Sequence, residues 1–267
     1  MGVTPNVRRD AAPGLRAVSL ARRMLAGGAS CSVTAWRLDL CHDMVAHGLT
    51  TDGEIVVALW PAMENELFWI PDGTVLDVRI DMVRHSCDTM LNVVASSCHM
   101  LGRMALLGRE RRAELIEGHR LPERVAELAQ LEGTRVGLVS VDRVLVHDHN
   151  GPVSVPWQEL GGELPDFPAD DLAVHDVVAS LGQGVLKRWC TGVRLGLLPG
   201  TATVRPSGPQ VCAHLLDKVS CVDVDRTGVT LMHIGAEETA TVFVEFDSRP
   251  TDLPSLQRAV ADISSAL

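Results

Sequence analysis

Residues 75–83 read VLDVRIDMV, and their alternation decides the fold class. Leu76, Val78, Ile80 and Met82 fall on one side of an extended chain, and Asp77, Arg79 and Asp81 fall on the other. Successive side chains of a strand point to opposite faces, so this strand has one dry and one polar face. Downstream, residues 91–107 form a longer period-two run in which His99 and Arg103 share parity, and Gly102 marks an expected bulge. Upstream, residues 30–36 alternate, and the runs 44–49 and 54–60 are joined by Thr51-Asp52-Gly53. Asp-Gly between two apolar runs signals a hairpin, because glycine accepts positive φ. Residues 61–73 form a Pro-bounded loop or short helix, and 135–146 and 153–155 read as strands around an Asn150-Gly151 turn. Helical spacing covers 15–25, 109–118 and 121–131.

Residues 161–171 are rich in Gly, Pro and Asp, and read as a linker. A helix over 172–189 follows, with Val174, Val178, Leu181, Val185 and Trp189 on one face, and Gly182-Gln183-Gly184 is taken as an irregularity within it. Strands are expected at 201–204, 218–224, 229–234 and 239–246, then a closing helix with Leu253, Leu256, Val260, Ile263 and Leu267 in register. The organisation predicted is an arm over 1–14, a barrel-like domain over 15–160, the linker over 161–171 and a smaller α/β domain over 172–267. The fold class is α+β.

The chain has 267 residues, of which 46% are hydrophobic, enough for a sizeable core. It has no Tyr and only 4 Phe, so Val, Leu, Ala and Met must fill that core. A formal net charge of −10 repels phosphate backbones and argues against nucleic-acid binding. The basic run Arg109, Arg111 and Arg112 is read as a solvated helix face. No apolar stretch approaches the ~20 residues of a membrane helix, and no signal sequence is evident. Seven cysteines are an odd number, and none forms a C-x-x-C pair. Free thiols in a reducing, cytoplasmic setting are expected.

The common phosphate-loop, dinucleotide, esterase and zinc-protease motifs are absent. His147-Asp148-His149 has the spacing of a metal clip, but only two ligands are visible, and an exposed hairpin tip before Asn150-Gly151 is the preferred reading. His99 is more informative, because it interrupts an otherwise apolar strand. It is either a hydrogen-bonded histidine of the barrel wall or a ligand-facing group, with Arg103 on its face to meet an acidic partner.

Three stretches resemble a known family: ARRMLAGG at 21–28, the hairpin at 49–59 and the strands within 75–107. Their order is similar to the split barrel of pyridoxamine-phosphate-oxidase-like, FMN-binding proteins. VSCVDVDRTGV at 219–229, VFVEF at 242–246 and the helix at 250–263 resemble the α/β domain that follows the barrel in HugZ-like haem-utilisation proteins and in a plant glutamyl-tRNA-reductase-binding protein. The linker LPDFPADDLAVHD is similar to that of actinobacterial members. The resemblance implies an FMN-binding-type split barrel followed by a smaller α/β domain, and a homodimer with Trp60, Phe68 and Trp69 at its seam.

Two departures shape the functional expectation. Residues 61–69 (PAMENELFW) carry no Lys or Arg where flavin-binding relatives hold the FMN phosphate, so FMN is doubtful unless Arg79 and Arg84 substitute. The His-rich segment of some relatives is reduced to His175, and the C-terminal histidine of the haem-degrading members has no counterpart, which leaves catalysis open. Three readings remain. The first is a haem-linked protein involved in haem utilisation or degradation. The second is a cofactor-free regulatory protein acting on a protein partner of haem metabolism, and the third is an FMN-dependent oxidoreductase. The candidate cofactor-binding residues are His99, Arg103, His233 and Arg79.

Overall fold

The computed structural model describes residues 12–43, 46–60, 65–88, 90–161, 167, 170–208 and 212–267. Most of the predicted arm and linker, and the stretch 61–64, lie outside the described residues. Helix α1 (Ala12–Leu25) begins inside the stretch read as an arm. The barrel strands are β1 (Ser30–Ala35), β2 (Leu40–Asp43), β3 (Ala46–Leu49), β4 (Ile55–Leu59), β5 (Val75–His85), β6 (Val94–Leu106), β7 (Arg135–Val141), β8 (Arg143–Asp148) and β9 (Gly151–Pro156). They form one sheet in the order β2-β1-β5-β6-β7-β4-β3, with β8 also pairing β6 and carrying β9. The expected single strand over 135–146 is two strands, broken at Asp142 so that β7 and β8 pair different ends of β6.

The alternation of β5 closes this barrel. Leu76, Val78, Ile80 and Met82 are buried, as are Cys98, Met100, Met104 and Leu106 of the paired β6. Helix α1 plugs the interior with Ala17, Leu20, Ala21, Met24 and Leu25, one apolar stripe at 3–4 spacing. Gly102 is not a bulge: it pairs regularly with Val78 and Val141. A Cβ there would lie 2.3 Å from the Ser140 carbonyl oxygen, so glycine permits a close approach of β6 and β7. The register shift falls instead at Arg84/His85. Short helix α2 (Glu66–Trp69) follows β4; α3 (Arg109–Glu117) and α4 (Glu123–Ala129) follow β6, and Leu115 and Val125 pack on Val56 and Ala58 of the outer face of β4.

The second unit has α5 (Asp171–Ala179), α6 (Gln183–Arg194) and α7 (Leu253–Ser265) on one face of a sheet ordered β10 (Gly200–Pro206), β13 (Glu238–Glu245), β12 (Gly228–Ile234), β11 (Lys218–Asp225). The expected helix over 172–189 is broken: Gly182, at φ +77°, ends α5's turn and starts α6. Helix α5 is capped by Asp170 and α7 by a reciprocal Asp252–Ser255 box.

The two units meet through a buried charge network. From α1, Arg16 bonds Asp148 Oδ2 (2.8 Å), Asp225 Oδ2 (3.2 Å) and Thr230 Oγ1 (2.9 Å), with its guanidinium 4.0 Å over the Phe243 ring. Arg23 pairs Asp223 (2.9 Å) and Asp171, and Arg84 of β5 pairs the same two carboxylates and donates to the Gly28 carbonyl at 2.8 Å. Burial works against the Asp223 carboxylate, but Arg23, Arg84 and Arg16 outweigh it and hold its pKa below the usual range. A β-bulge between Cys221 and Asp223 makes this possible. Val219 and Cys221 pack against the helices, whereas beyond the bulge Val224 takes that side and Asp223 and Asp225 turn to the arginines. The hairpin tip at Asp148-His149, expected to be exposed, is therefore docked: both side chains are under one-tenth exposed.

Among the described residues, no helix is long and apolar enough to cross a membrane.

Candidate functional site

The polar face of β5 and β6 is the candidate site. Its residues come from the two strands at the middle of the sheet, so their positions are set by a ladder on both sides. Asp81 lies opposite His99, Arg79 opposite Leu101, and Asp77 opposite Arg103. On the other flank β8 sets Leu145 opposite His99 and His147 opposite Ser97.

His99 Nδ1 lies 2.6 Å from Asp81 Oδ1, and Arg79 Nε donates to Asp81 Oδ2 at 2.7 Å. An ionised carboxylate only accepts, so the ring proton sits on Nδ1. With that tautomer Nε2 is the acceptor nitrogen, met by the Ser97 hydroxyl at 3.2 Å. The His147 ring stands edge-on to His99, centroids 5.1 Å apart. The His99 side chain is 40% exposed and Asp81 15%, so the carboxylate is sheltered while the imidazole's free side is open. Leu101, 69% exposed, continues the face toward the exposed Arg103. Arg103 makes no ion pair among the described residues and sits four positions from His99, ~13 Å along the strand.

Ser97, His99 and Asp81 reproduce the hydroxyl–imidazole–carboxylate order of a nucleophilic relay. Ser97 and His99 themselves lie in ladders with β5 and β8. The chain of bonds orients the His99 imidazole.

Of the four residues singled out in the sequence, His99, Arg79 and Arg103 share this face. His233 does not. It lies on the helix-covered side of β12, opposite Val219, and its Nε2 is 3.2 Å from Asp217, which also holds Lys187 of α6. Arg84, the other expected phosphate partner, is 5% exposed and committed to Asp223 and Asp171. His147 and His149 do not converge: one is beside His99, and the other packs on Phe243. Among the described residues no group of three His, Cys, Asp or Glu is placed to hold a metal ion. Asp81 and Ser97 were missed in the sequence, and His147 was weighed there only as part of a metal clip with His149. The alternation put Asp81 on the polar face, but only the β5–β6 register sets it against His99.

No family model and no curated protein matches the sequence. Solved structures do match. The structure of a haem-binding protein from Mycobacterium smegmatis aligns over 99% of this chain and 98% of its own, with a TM-score of 0.50 at 13% identity. The chain is an α+β split barrel with a smaller sheet-and-helix unit. Further similarities are to a Clostridium acetobutylicum protein related to general stress protein 26, of the pyridoxinephosphate oxidase family (8% identity, 55% of this chain, 98% of that one, TM-score 0.36), and to Campylobacter jejuni ChuZ (10% identity, 52% and 61%, TM-score 0.32).

Proposed function

We propose that this split-barrel protein binds haem on the outer face of β5 and β6, with His99 as the iron ligand. The observation that carries the reading is the Asp81–His99 bond. A carboxylate on Nδ1 fixes the tautomer and turns Nε2, now met by the Ser97 hydroxyl, toward a metal that would displace it, the usual outer-shell arrangement of a ligating histidine. The residues present fit the group. Arg79 and Arg103 supply cations for the propionates, and Leu101 and Leu145 supply apolar surface beside the imidazole. The full-length similarity to a haem-binding protein supports the same reading. When bound, haem supplies an iron centre whose further chemistry depends on what else reaches it; the chain's own part is to orient His99, through Asp81, and to neutralise the propionates.

A second copy of the chain belongs to this reading. Leu101, Val75, Trp60 and Trp69 are each more than half exposed. Central strands with an uncovered apolar flank are closed by isologous pairing in a homodimer.

Hemin titration tests the ligand. His99→Ala is expected to shift the Soret band and weaken binding. Asp81→Asn, which keeps the shape but not the charge, is expected to weaken it by about tenfold, the low end for an outer-shell partner. Unchanged spectra and affinity in both variants remove His99 as the ligand. Failure of the wild type to bind hemin favours the cofactor-free reading.

A further inference from the structure

A cavity of about 210 Å³ lies between the two units, away from the β5–β6 face. Its walls come from the β5–β6 connection (Asp88, Met90), α5 (His175, Ala179), the start of α6 (Gln183, Leu186), the segment before β11 (His214, Leu215) and β11 itself (Lys218, Val219). The volume is about seven times the ~30 Å³ share of one liquid water.

Its polar lining is unbalanced. Lys218 and His214 make no ion pair or side-chain hydrogen bond among the described residues. His175 Nε2 is buried without a hydrogen-bond partner, and its Nδ1 meets only Asp176 at 3.6 Å. A buried imidazole nitrogen left unpaired is destabilising, and such groups mark places where a partner belongs. Gln183 plays no such part: both its amide atoms are taken by the Val219 backbone at 2.8 Å. One carboxylate faces these donors, Asp88, whose Oδ1 already accepts the Met90 N–H at 2.9 Å. Three nitrogen-bearing side chains against one carboxylate make a donor-rich spot on a chain of net charge −10. The remaining wall, with Met90, Leu186 and Leu215, is apolar.

We infer that this cavity binds a small organic monocarboxylate, its head on Lys218, His214 and His175 and a short apolar tail on the Met90–Leu186 wall. Asp88 disfavours a second negative charge, and the apolar wall disfavours an inorganic anion. Lys218 is exposed at the start of β11, so its substitution spares the core. The site shares no residue with the proposed haem face, and it stands or falls separately.

The test is calorimetric titration of the full chain with hexanoate, hexanol and inorganic phosphate, with the histidine side chains followed by NMR. Hexanoate is expected to bind saturably and to shift the His175 and His214 imidazole signals. Hexanol and phosphate are expected to bind at least about tenfold more weakly, as loss of a hydrogen bond to a charged group predicts. Lys218→Gln and His214→Gln should each weaken hexanoate by a similar factor and leave hemin binding unchanged. Equal affinity for hexanol or phosphate, no saturable binding, or wild-type affinity in both variants overturns the assignment.

Discussion

At the scale of single residues, burial decides which histidines can respond to pH. His149 packs on Phe243 beside Arg16, and burial first, then that guanidinium, lower its pKa to about 4 in spite of Asp148. The unfolded chain takes up this proton near the ordinary value of ~6.5, well before the folded one does. Stability therefore falls as pH drops from about 6.5 to about 4, by of order 3 kcal/mol over the window. Asp223 adds to the loss further down, since its folded pKa is depressed and its contribution fades as the carboxyl protonates. His149→Gln keeps a partner for Thr201 and is expected to flatten the decline between pH 6.5 and 4. Urea unfolding at pH 7 and pH 5 measures it, and an unchanged slope rules His149 out as the cause. His99 was visible in the sequence as a polar break in an apolar run. The burial of His149 was not, because Asn150-Gly151 marks a turn but says nothing of what the turn docks against.

At the scale of elements, legibility followed alternation. Strands β5 and β6, the Asp52-Gly53 hairpin and the final helix stand where period two, turn chemistry and 3–4 spacing put them. Breaks inside a continuous apolar pattern were not visible. The helical spacing of 172–189 runs on across Gly182, whose positive φ ends it locally, whereas at Asp142 the core-facing parity switches from Val139 and Val141 to Val144 and Val146 as the partner on β6 changes ends. The bulge in β11 hid more. In VSCVDVD the residues Val219, Cys221, Asp223 and Asp225 share one parity, yet the bulge sends the last two to the other face. The glycines separate two kinds of constraint. Gly102→Ala forces a Cβ against the Ser140 carbonyl and is expected to destabilise by about 1–3 kcal/mol, as overpacking does. Gly182→Ala meets no atom within 4 Å and strains only its positive φ, about 1 kcal/mol. Unfolding midpoints that reverse this order would contradict the close β6–β7 contact.

At the scale of the whole molecule, the network of Arg16, Arg23 and Arg84 joins the barrel to the second sheet. Removing one partner of a buried charge set leaves the others uncompensated, so Asp223→Asn is expected to cost about 3–5 kcal/mol. It should also split one unfolding transition into two, which differential scanning calorimetry resolves; a single sharp transition at the wild-type temperature would mean that the apolar contact of Leu91 with Val222 and Ile234 suffices alone. The proposed homodimer is checked by light scattering, where Leu101→Lys should shift the mass toward the monomer and a wild-type monomer at micromolar concentration removes the idea. Helix α1 carries a further consequence, one of timing. It lies near the beginning of the chain, yet Arg16 must wait for Asp225, 209 residues later, and for Thr230, 214 residues later. A ribosome adding ~5–20 residues per second therefore holds the barrel's plug for about 10–40 s before its last charged partners emerge. Until then Arg16, Arg23 and Arg84 have only their earlier carboxylate partners Asp148 and Asp171, and synthesis, not folding of the barrel itself, sets when the charge network closes.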